Sequence, residues 1–358
     1  MRKREYNEDV YRLCTECLEY VLKSLTENIS PRPGLYNGIA GTGWLLSKLK
    51  SFDLIRDEAI FGELSSYFEK LIGKDYADNF SVSQGLSGMG IFLINQGDEK
   101  NHSILKTFVK KIKKNVQVIN GHRTWYNGLT NAREGDSNTV ETTLGNPGII
   151  IFLLKLKIIF PDIACPQKFI KPIIQDLLKL KINNPEYSLY PFKKSAPFTP
   201  SRLSWMQGDF TMANLLKHYF YLWKEECILD ELQSIGDFHL TNFKKIISKN
   251  PTLNDPSSDT SITSGSIGLY LTCSKVFEMT GLSQFAELRD LWLDFTFKQQ
   301  SPSPKNPVGF YNVQMDFETK KLIHEKDFGL FNGLAGMGMF CIDYLNNDNT
   351  SFDDLLLL

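Results

Sequence analysis

The segment NGLAGMG at residues 332–338 has two close relatives in the same chain, NGIAGTG at residues 37–43 and QGLSGMG at residues 84–90. Each copy leads directly into apolar residues, so each one marks a loop that opens a buried helix. Glycine lacks a Cβ, which lets the backbone of such a loop approach the first helical turn closely. The repeat therefore predicts several helices whose N-termini crowd around one axis.

Three weaker copies lie between the second and the last strong one. They are the segments at residues 145–148, 208–211 and 265–268. Apolar helical periodicity surrounds all six landmarks, whereas strand patterns are sparse beyond a short hairpin expected near residues 308–315. A phosphate-cradling glycine loop is the alternative, but that motif follows a strand in a βαβ unit. The pattern predicts an all-α protein with inner helices opening at the six glycines.

Composition excludes several classes of function. The 358 residues are 42% hydrophobic and 23% charged, with a formal net charge of −1. This balance gives no electrostatic argument for a nucleic-acid partner or a membrane surface. Residues 148–160 are too short and too interrupted by lysine to span a bilayer, and residues 1–13 lack the apolar core of a secretory signal. We expect a soluble, cytoplasmic protein without nucleic-acid binding or membrane insertion.

One cysteine pair has the spacing of a metal or redox motif. Cys14 and Cys17 form a C-x-x-C, but both fall in the apolar stripe of a predicted amphipathic helix. A zinc site needs two further ligands, and the chain has no second C-x-x-C. Core packing is therefore the preferred interpretation of this pair.

The six units, in this order, resemble the lanthionine synthetase C family. The resemblance includes the end of the chain, where DFGLFNGLAG at residues 327–336 precedes SFDDLLLL at residues 351–358. It implies a single α/α-toroid over residues 1–358, in which inner and outer helices are nested. The family toroid has seven hairpins, so one unit is expected to lack a glycine landmark.

Family members that cyclise peptides hold zinc through two cysteines and a histidine, and the zinc activates a substrate thiol. The first cysteine lies in a Trp-Cys-Tyr-Gly block, which here reads WMQG at residues 205–208. The other two ligands form Cys-His-Gly, here TSG at residues 263–265. The resemblance thus places Met206, Thr263 and Ser264 at degenerate zinc-ligand positions, and we expect no zinc.

The acid–base positions of the family are also replaced. The family histidine falls on Leu144, and a family aspartate falls on Ser81, with Asp78 nearby. Four residues of the active-site pattern remain as candidates for substrate binding: Arg202, Trp205, Gln207 and Asp209. A plainer interpretation makes Trp205 a core residue and pairs Arg202 with a carboxylate such as Asp209.

Three hypotheses for function remain, and they leave open whether the chain is an enzyme. The first is a pseudoenzyme of lanthipeptide biosynthesis that binds a precursor peptide or the partner dehydratase, both partners being implied by the resemblance. The second is metal-free chemistry in the toroid, for which only Glu141, Asp136, Asp209 and His122 are loose candidates. The third is a true cyclase with relocated zinc ligands. Cys273 would be a poor substitute ligand, because it lies ten residues past Thr263, or about 15 Å along a helix.

Overall fold

The structure is a computed structural model. It describes residues 8–27, 32–36, 38–51, 59–71, 79–119, 121–125, 140–163, 165–192, 201–248, 259–300, 302, 309–310, 312–315, 322–325, 327–346 and 352–358. The helices are α1 Glu8–Glu27, α2 Ile39–Ser51, α3 Ala59–Leu71, α4 Leu86–Gln96, α5 His102–Lys114, α6 Asn146–Ile159, α7 Gln167–Leu178, α8 Gly208–Trp223, α9 Glu226–Ser248, α10 Ser266–Thr280, α11 Ser283–Lys298 and α12 Leu334–Asn346. No described helix is long and apolar enough to cross a membrane.

Two short antiparallel hairpins complete the described elements. Strands β1 Gln117–Ile119 and β2 His122–Thr124 pair with each other, as do β3 Asn312–Met315 and β4 Leu322–Glu325. The second hairpin overlaps the one expected near residues 308–315. The predicted all-α class is confirmed, because helices form nearly all of the regular structure that is described.

The six predicted glycines all open helices. Gly85, Gly145 and Gly265 are the N-caps of α4, α6 and α10; α8 begins at Gly208, and α2 and α12 begin directly after Gly38 and Gly333. These six are the inner helices. On α6 every side chain from residue 146 to residue 156 is buried, whereas the outer helix α5 buries one face and exposes a row of lysines. An inner helix is enclosed on all sides, so its sequence carries no polar stripe.

The six glycine loops form a closed ring at one end of the toroid. Four backbone hydrogen bonds join successive loops: Leu35 N–H to Val82 O (3.0 Å), Ser83 N–H to Thr143 O (2.9 Å), Thr142 N–H to Met206 O (2.9 Å) and Ile262 N–H to Phe331 O (3.1 Å). The fourth and fifth loops are joined by Arg202 and Asp259, at 3.2 Å between guanidinium and carboxylate. The sixth and first loops meet through the rings of Phe331 and Tyr36, whose centroids are 5.1 Å apart.

The second glycine of each landmark lies under a carbonyl oxygen of its own loop. A Cβ on Gly88 would lie 2.1 Å from the oxygen of Val82, and a Cβ on Gly268 would lie 1.9 Å from that of Ile262. The same contact, at 1.8 to 2.1 Å, occurs at Gly41, Gly148 and Gly336. In the fourth unit Thr211 replaces the glycine, and its hydroxyl donates to Trp205 O at 3.0 Å. The motif is therefore a packing requirement between loop and helix.

Among the residues that the structure describes, the wall of inner helices has a seam between α12 and α2. Phe92 of α4 packs on Gly43 of α2, and Phe152 of α6 packs on Gly90 of α4. On the equivalent glycine of α12, Gly338, an added Cβ would have no atom within 4 Å. Leu45 of α2 lies seven residues after its opening glycine, as these two phenylalanines do after theirs, and it is 39% exposed. Five outer helices follow their inner partners, so α1 is the one described helix left for the unit expected to lack a landmark.

The axis of the toroid is filled by residues 352–358, which we call the tail. Phe352 and the four leucines from 355 to 358 are all buried. Four side chains from three units hold the backbone oxygens of these leucines: Tyr36 Oη on Leu355 (2.7 Å), Trp205 Nε1 on Leu356 (2.8 Å), His218 Nε2 on Leu357 (3.0 Å) and Lys155 Nζ on Leu358 (3.0 Å). The tail is therefore part of the core.

Four polar side chains surround the tail at one level of the bore. They are Lys48, Lys155, His218 and Lys275, each ten residues after its opening glycine, or about 15 Å along its helix. We call this set the basic ring. Lys48 pairs with Asp354 at 3.2 Å and Lys275 with Asp353 at 3.0 Å. Burial, together with the charges of Lys217 and Lys155, holds the pKa of His218 well below its usual range.

We predict that Gly336→Ala and Gly338→Ala, in one helix, have opposite effects on the free energy of unfolding. The first should cost about 2 kcal/mol or more, because its Cβ would press on the oxygen of Leu330. The second should be neutral or stabilise by up to about 1 kcal/mol, since it replaces a helical glycine where space is open. Urea unfolding of both variants checks this, and equal effects would contradict the packing explanation.

We predict that His218 contributes to loss of stability in acid. The unfolded chain takes up a proton on this histidine below about pH 6.5, whereas the folded imidazole resists protonation. As the pH is lowered through this range, the free energy of unfolding should therefore decrease by up to about 1.4 kcal/mol per pH unit. Removing the imidazole by His218→Gln should make the decline between pH 6.5 and pH 5 shallower in urea titrations. Parallel declines in both proteins would refute this.

Candidate functional site

The loop end of the toroid carries the positions that resemble the zinc site. Met206, Thr263 and Ser264 are half-buried there. The carbonyl of Met206 accepts from Thr142 N–H at 2.9 Å, the Thr263 hydroxyl donates to the carbonyl of Phe331 at 3.2 Å, and Ser264 N–H donates to Ser261 Oγ at 3.2 Å.

The loop of Met206 lies directly beside the loop of Thr263 and Ser264. A Cβ on Gly268, in the first turn of α10, would lie 3.1 Å from the Cβ of Trp205. The ion pair of Arg202 with Asp259 ties the same two loops together. The fold thus brings together two sequence blocks that the resemblance assigns to one site.

Ser81 and Leu144, which stand at the family's acid–base positions, form hydrogen bonds within their own loops. Ser81 is buried, and its N–H and hydroxyl donate to Asn79 Oδ1 at 3.0 and 2.7 Å. Its hydroxyl oxygen accepts from Gln84 N–H at 3.2 Å, so this serine shapes its loop. Leu144 lies at the surface, and its N–H donates to Glu141 Oε1 at 3.2 Å. Asp78, the nearby carboxylate, lies outside the described residues.

Asp209, a candidate for substrate binding, is fully enclosed. Its carboxylate accepts from Leu189 N–H (2.8 Å), Tyr190 N–H (2.7 Å) and Ser188 Oγ (3.1 Å). The imidazole Nε2 of His239 lies 2.7 Å from Asp209 Oδ2. These bonds fix residues 188–190 and the outer helix α9 to the start of α8. A substrate-binding role for Asp209 is therefore not compatible with this arrangement, because no surface of its carboxylate is left open.

Arg202, Trp205 and Gln207 differ in how far a ligand could reach them. Arg202 is 16% exposed and pairs with a carboxylate, as the plainer interpretation expected, but that carboxylate belongs to Asp259 and not to Asp209. Burial raises the pKa of Asp259, although hydrogen bonds from Ser261 and the charge of Arg202 act in the opposite direction. Trp205 is 1% exposed and is a core residue. Gln207, the N-cap of α8, is half-buried beside Met206.

Three aromatic rings form a floor beneath this end of the toroid. The rings of Trp205 and Phe331 stack with centroids 6.5 Å apart and an interplanar angle of 13°. Tyr36 meets Trp205 edge-on at 6.1 Å and Phe331 edge-on at 5.1 Å. Tyr36 and Trp205 also bind the backbone of the tail. We call these three residues the aromatic floor, because they separate the loop surface from the filled bore.

The loose candidates for metal-free chemistry do not form a catalytic group in the described residues. Asp136 lies outside them. Glu141 is buried, and its carboxylate accepts from the Thr143 hydroxyl and Leu144 N–H. His122 lies in β2, which pairs with β1. The buried pair of Asp209 and His239 was not predicted, because His239 lies in an outer helix away from every glycine motif.

The cysteines differ in exposure. Cys17 is exposed, so the core interpretation of the C-x-x-C is wrong for this residue; the side chain of Cys14 lies outside the described residues. Burial raises the pKa of Cys165 to about 12 and raises that of Cys273 as well. Among the described residues no group of three or more His, Cys, Asp or Glu side chains is arranged to hold a metal ion.

Comparison with known proteins agrees with this architecture. Residues 2–357 match the family described as lanthionine synthetase C-like protein. Among solved structures, nisin cyclase superposes with a TM-score of 0.69 at 13% identity, covering 99% of this chain and 87% of that one. A family 76 glycoside hydrolase (mannosidase) from Bacteroides thetaiotaomicron gives a TM-score of 0.39 at 11% identity, over 74% and 70%. No curated protein matches. With the family matched over almost its whole length, the chain belongs to the lanthionine synthetase C-like proteins.

Proposed function

We propose that this chain is a non-catalytic, cyclase-like protein of lanthipeptide biosynthesis. In this proposal its loop end binds a precursor peptide or the partner dehydratase without closing thioether rings. One observation carries the proposal. The loops that correspond to the family's catalytic blocks are packed side by side, yet the ligand positions in them hold Met206, Thr263 and Ser264.

The residues at the ligand positions do not fit zinc. Structural and catalytic zinc sites in proteins use thiolate, imidazole and carboxylate donors. Met206 offers a neutral thioether, and the hydroxyl of Thr263 is already donated to Phe331 O. Ser264 carries no charge at neutral pH. We therefore derive no step through a metal ion at this place.

Relocated ligands are the weaker alternative. A zinc ligand or an attacking sulfur must be a thiolate. Burial raises the pKa of Cys165 and Cys273, so both favour the neutral thiol at neutral pH. Metal-free chemistry is weaker too, because it needs a nucleophile and a base on an open surface. The buried pair of Asp209 and His239 is enclosed.

Most of the half-buried side chains at the loop end suit an uncharged peptide segment, because six of them are polar but neutral, or apolar: Gln84, Thr143, Met206, Gln207, Thr263 and Ser264. The same loops also carry charged side chains, namely half-buried Arg202 and Asp327 and exposed Arg32. Phe328, in the sixth loop, is largely exposed. Dehydrated residues have lost the serine and threonine hydroxyls, so a surface of this kind suits them better than a strongly charged one would. Arg202 is held by Asp259, which leaves Gln207 as the accessible member of the expected binding set.

We predict that a dehydrated precursor peptide binds and keeps its cysteine thiols free during incubation, as measured by alkylation and mass spectrometry. Gln207→Ala should weaken binding by about three- to tenfold, the cost of about one hydrogen bond. Gln284→Ala is the matched control, because Gln284 is also half-buried but lies at the opposite end of the toroid.

Fluorescence anisotropy with a labelled peptide measures both affinities. Loss of thiols at a rate above the protein-free control would contradict the non-catalytic part of the proposal. No binding of either the peptide or the dehydratase would contradict the rest.

A further inference from the structure

The tail is held in the bore by contacts that depend on its acidic and its apolar side chains. Asp353 pairs with Lys275 at 3.0 Å and Asp354 pairs with Lys48 at 3.2 Å, on helices α10 and α2. The leucines that follow fill the space between the inner helices and are buried. Two adjacent carboxylates therefore meet two separate lysines, and an apolar run meets an apolar bore.

Without the tail, Lys48 and Lys155 would lose the oxygen atoms that they bind in it. Lys155 reaches the backbone oxygens of Leu358 and Asp353 at 3.0 and 3.5 Å. Removing one partner from a buried charged contact is costly. The lining is thus complementary to an acidic ligand that supplies carboxylates and backbone oxygens.

The tail is shaped as a compact unit. Its own backbone closes on itself, through Leu356 N–H to Phe352 O and Leu358 N–H to Asp353 O, both at 2.8 Å. A short segment that holds its bound shape by internal hydrogen bonds loses less entropy on binding.

The acidic end of the tail lies near solvent. Asp354 and its partner Lys48 are 30% and 38% exposed, and Asp353 is 26% exposed. The seam between α12 and α2, marked by Leu45 and Gly338, runs beside α2, the helix that carries Lys48. The two carboxylates of the tail are therefore in partial contact with solvent, whereas its leucines are enclosed.

We propose that the bore is a binding site for a short acidic peptide in which two adjacent aspartates precede leucines. In this chain the site is filled by the tail, and the same sequence binds in trans once the tail's covalent link is cut. The proposal does not rest on the function proposed above, because it concerns the bore beneath the aromatic floor and not the loop surface.

The test starts from the full chain. A protease recognition site is inserted between Asn346 and Phe352, the protein is folded and then cut, and a fluorescent peptide of residues 351–358 is added. We expect saturable uptake by the cut protein and none by the uncut protein. The peptide should also raise the midpoint of thermal unfolding as its concentration increases, because it binds only the folded state.

Variants identify the contacts. The Asp353→Asn peptide should bind at least about tenfold more weakly, and the Asp354→Asn peptide about two- to fivefold, because the second ion pair is more exposed. In the toroid, Lys275→Met should reduce uptake by at least about tenfold. Lys298→Met is the control, since Lys298 is exposed and pairs with Asp294 within its own helix.

Three results would overturn the proposal. The cut protein could retain its own tail and take up no labelled peptide, which would make the tail a permanent part of the core. Peptides with and without the aspartates could bind equally well. The cut toroid could unfold without being rescued by added peptide. None of these results bears on peptide binding at the loop end, which Gln207→Ala reports in the uncut protein.

Discussion

The close contact between a loop carbonyl oxygen and the first turn of an inner helix governs how the toroid is built. At five of the six landmarks a Cβ would lie 1.8 to 2.1 Å from that oxygen, so only glycine permits the approach. Each such contact fixes the direction in which its helix leaves the loop. Because the loops also bond to one another, six helices are fixed together, and they enclose a bore that a short segment can fill.

The sequence predicted this framework because its signal is local and repeated. The start of every inner helix follows from a glycine that can be found by eye, and the apolar run behind it indicates full enclosure. The hairpin of β1 and β2 gave no comparable signal. Contacts between distant residues were harder to predict: Arg202 pairs with Asp259 in the next loop and not with Asp209, and Asp209 faces His239 on an outer helix. Cys17 lies on a helix whose apolar stripe suggested burial, yet it is exposed.

That residues 352–358 fill the bore was not predicted, although the sequence contains a signal for it. Lys155 and Lys157 interrupt an otherwise apolar run, and Lys48, His218 and Lys275 stand at the same distance from their own glycines as Lys155 does from Gly145. Aligning the units on their first glycines places all four at one level. The acidic residues of the tail supply their partners. The tail also supports Tyr36 and Trp205 from below, which links the core of the toroid to the surface where the family's chemistry would take place.

This chain has the toroid of its family, and we propose that the residues at its donor positions, Met206, Thr263 and Ser264, do not suit zinc. Elemental analysis of the purified, unmodified protein is the decisive measurement, with the Met206→Cys, Thr263→Cys, Ser264→His variant measured beside it. We expect no stoichiometric zinc in the unmodified protein and bound zinc in the triple variant, since two thiolates and an imidazole form a suitable donor set. About one zinc per chain in the unmodified protein, removed by a chelator with loss of thioether formation, would contradict this proposal.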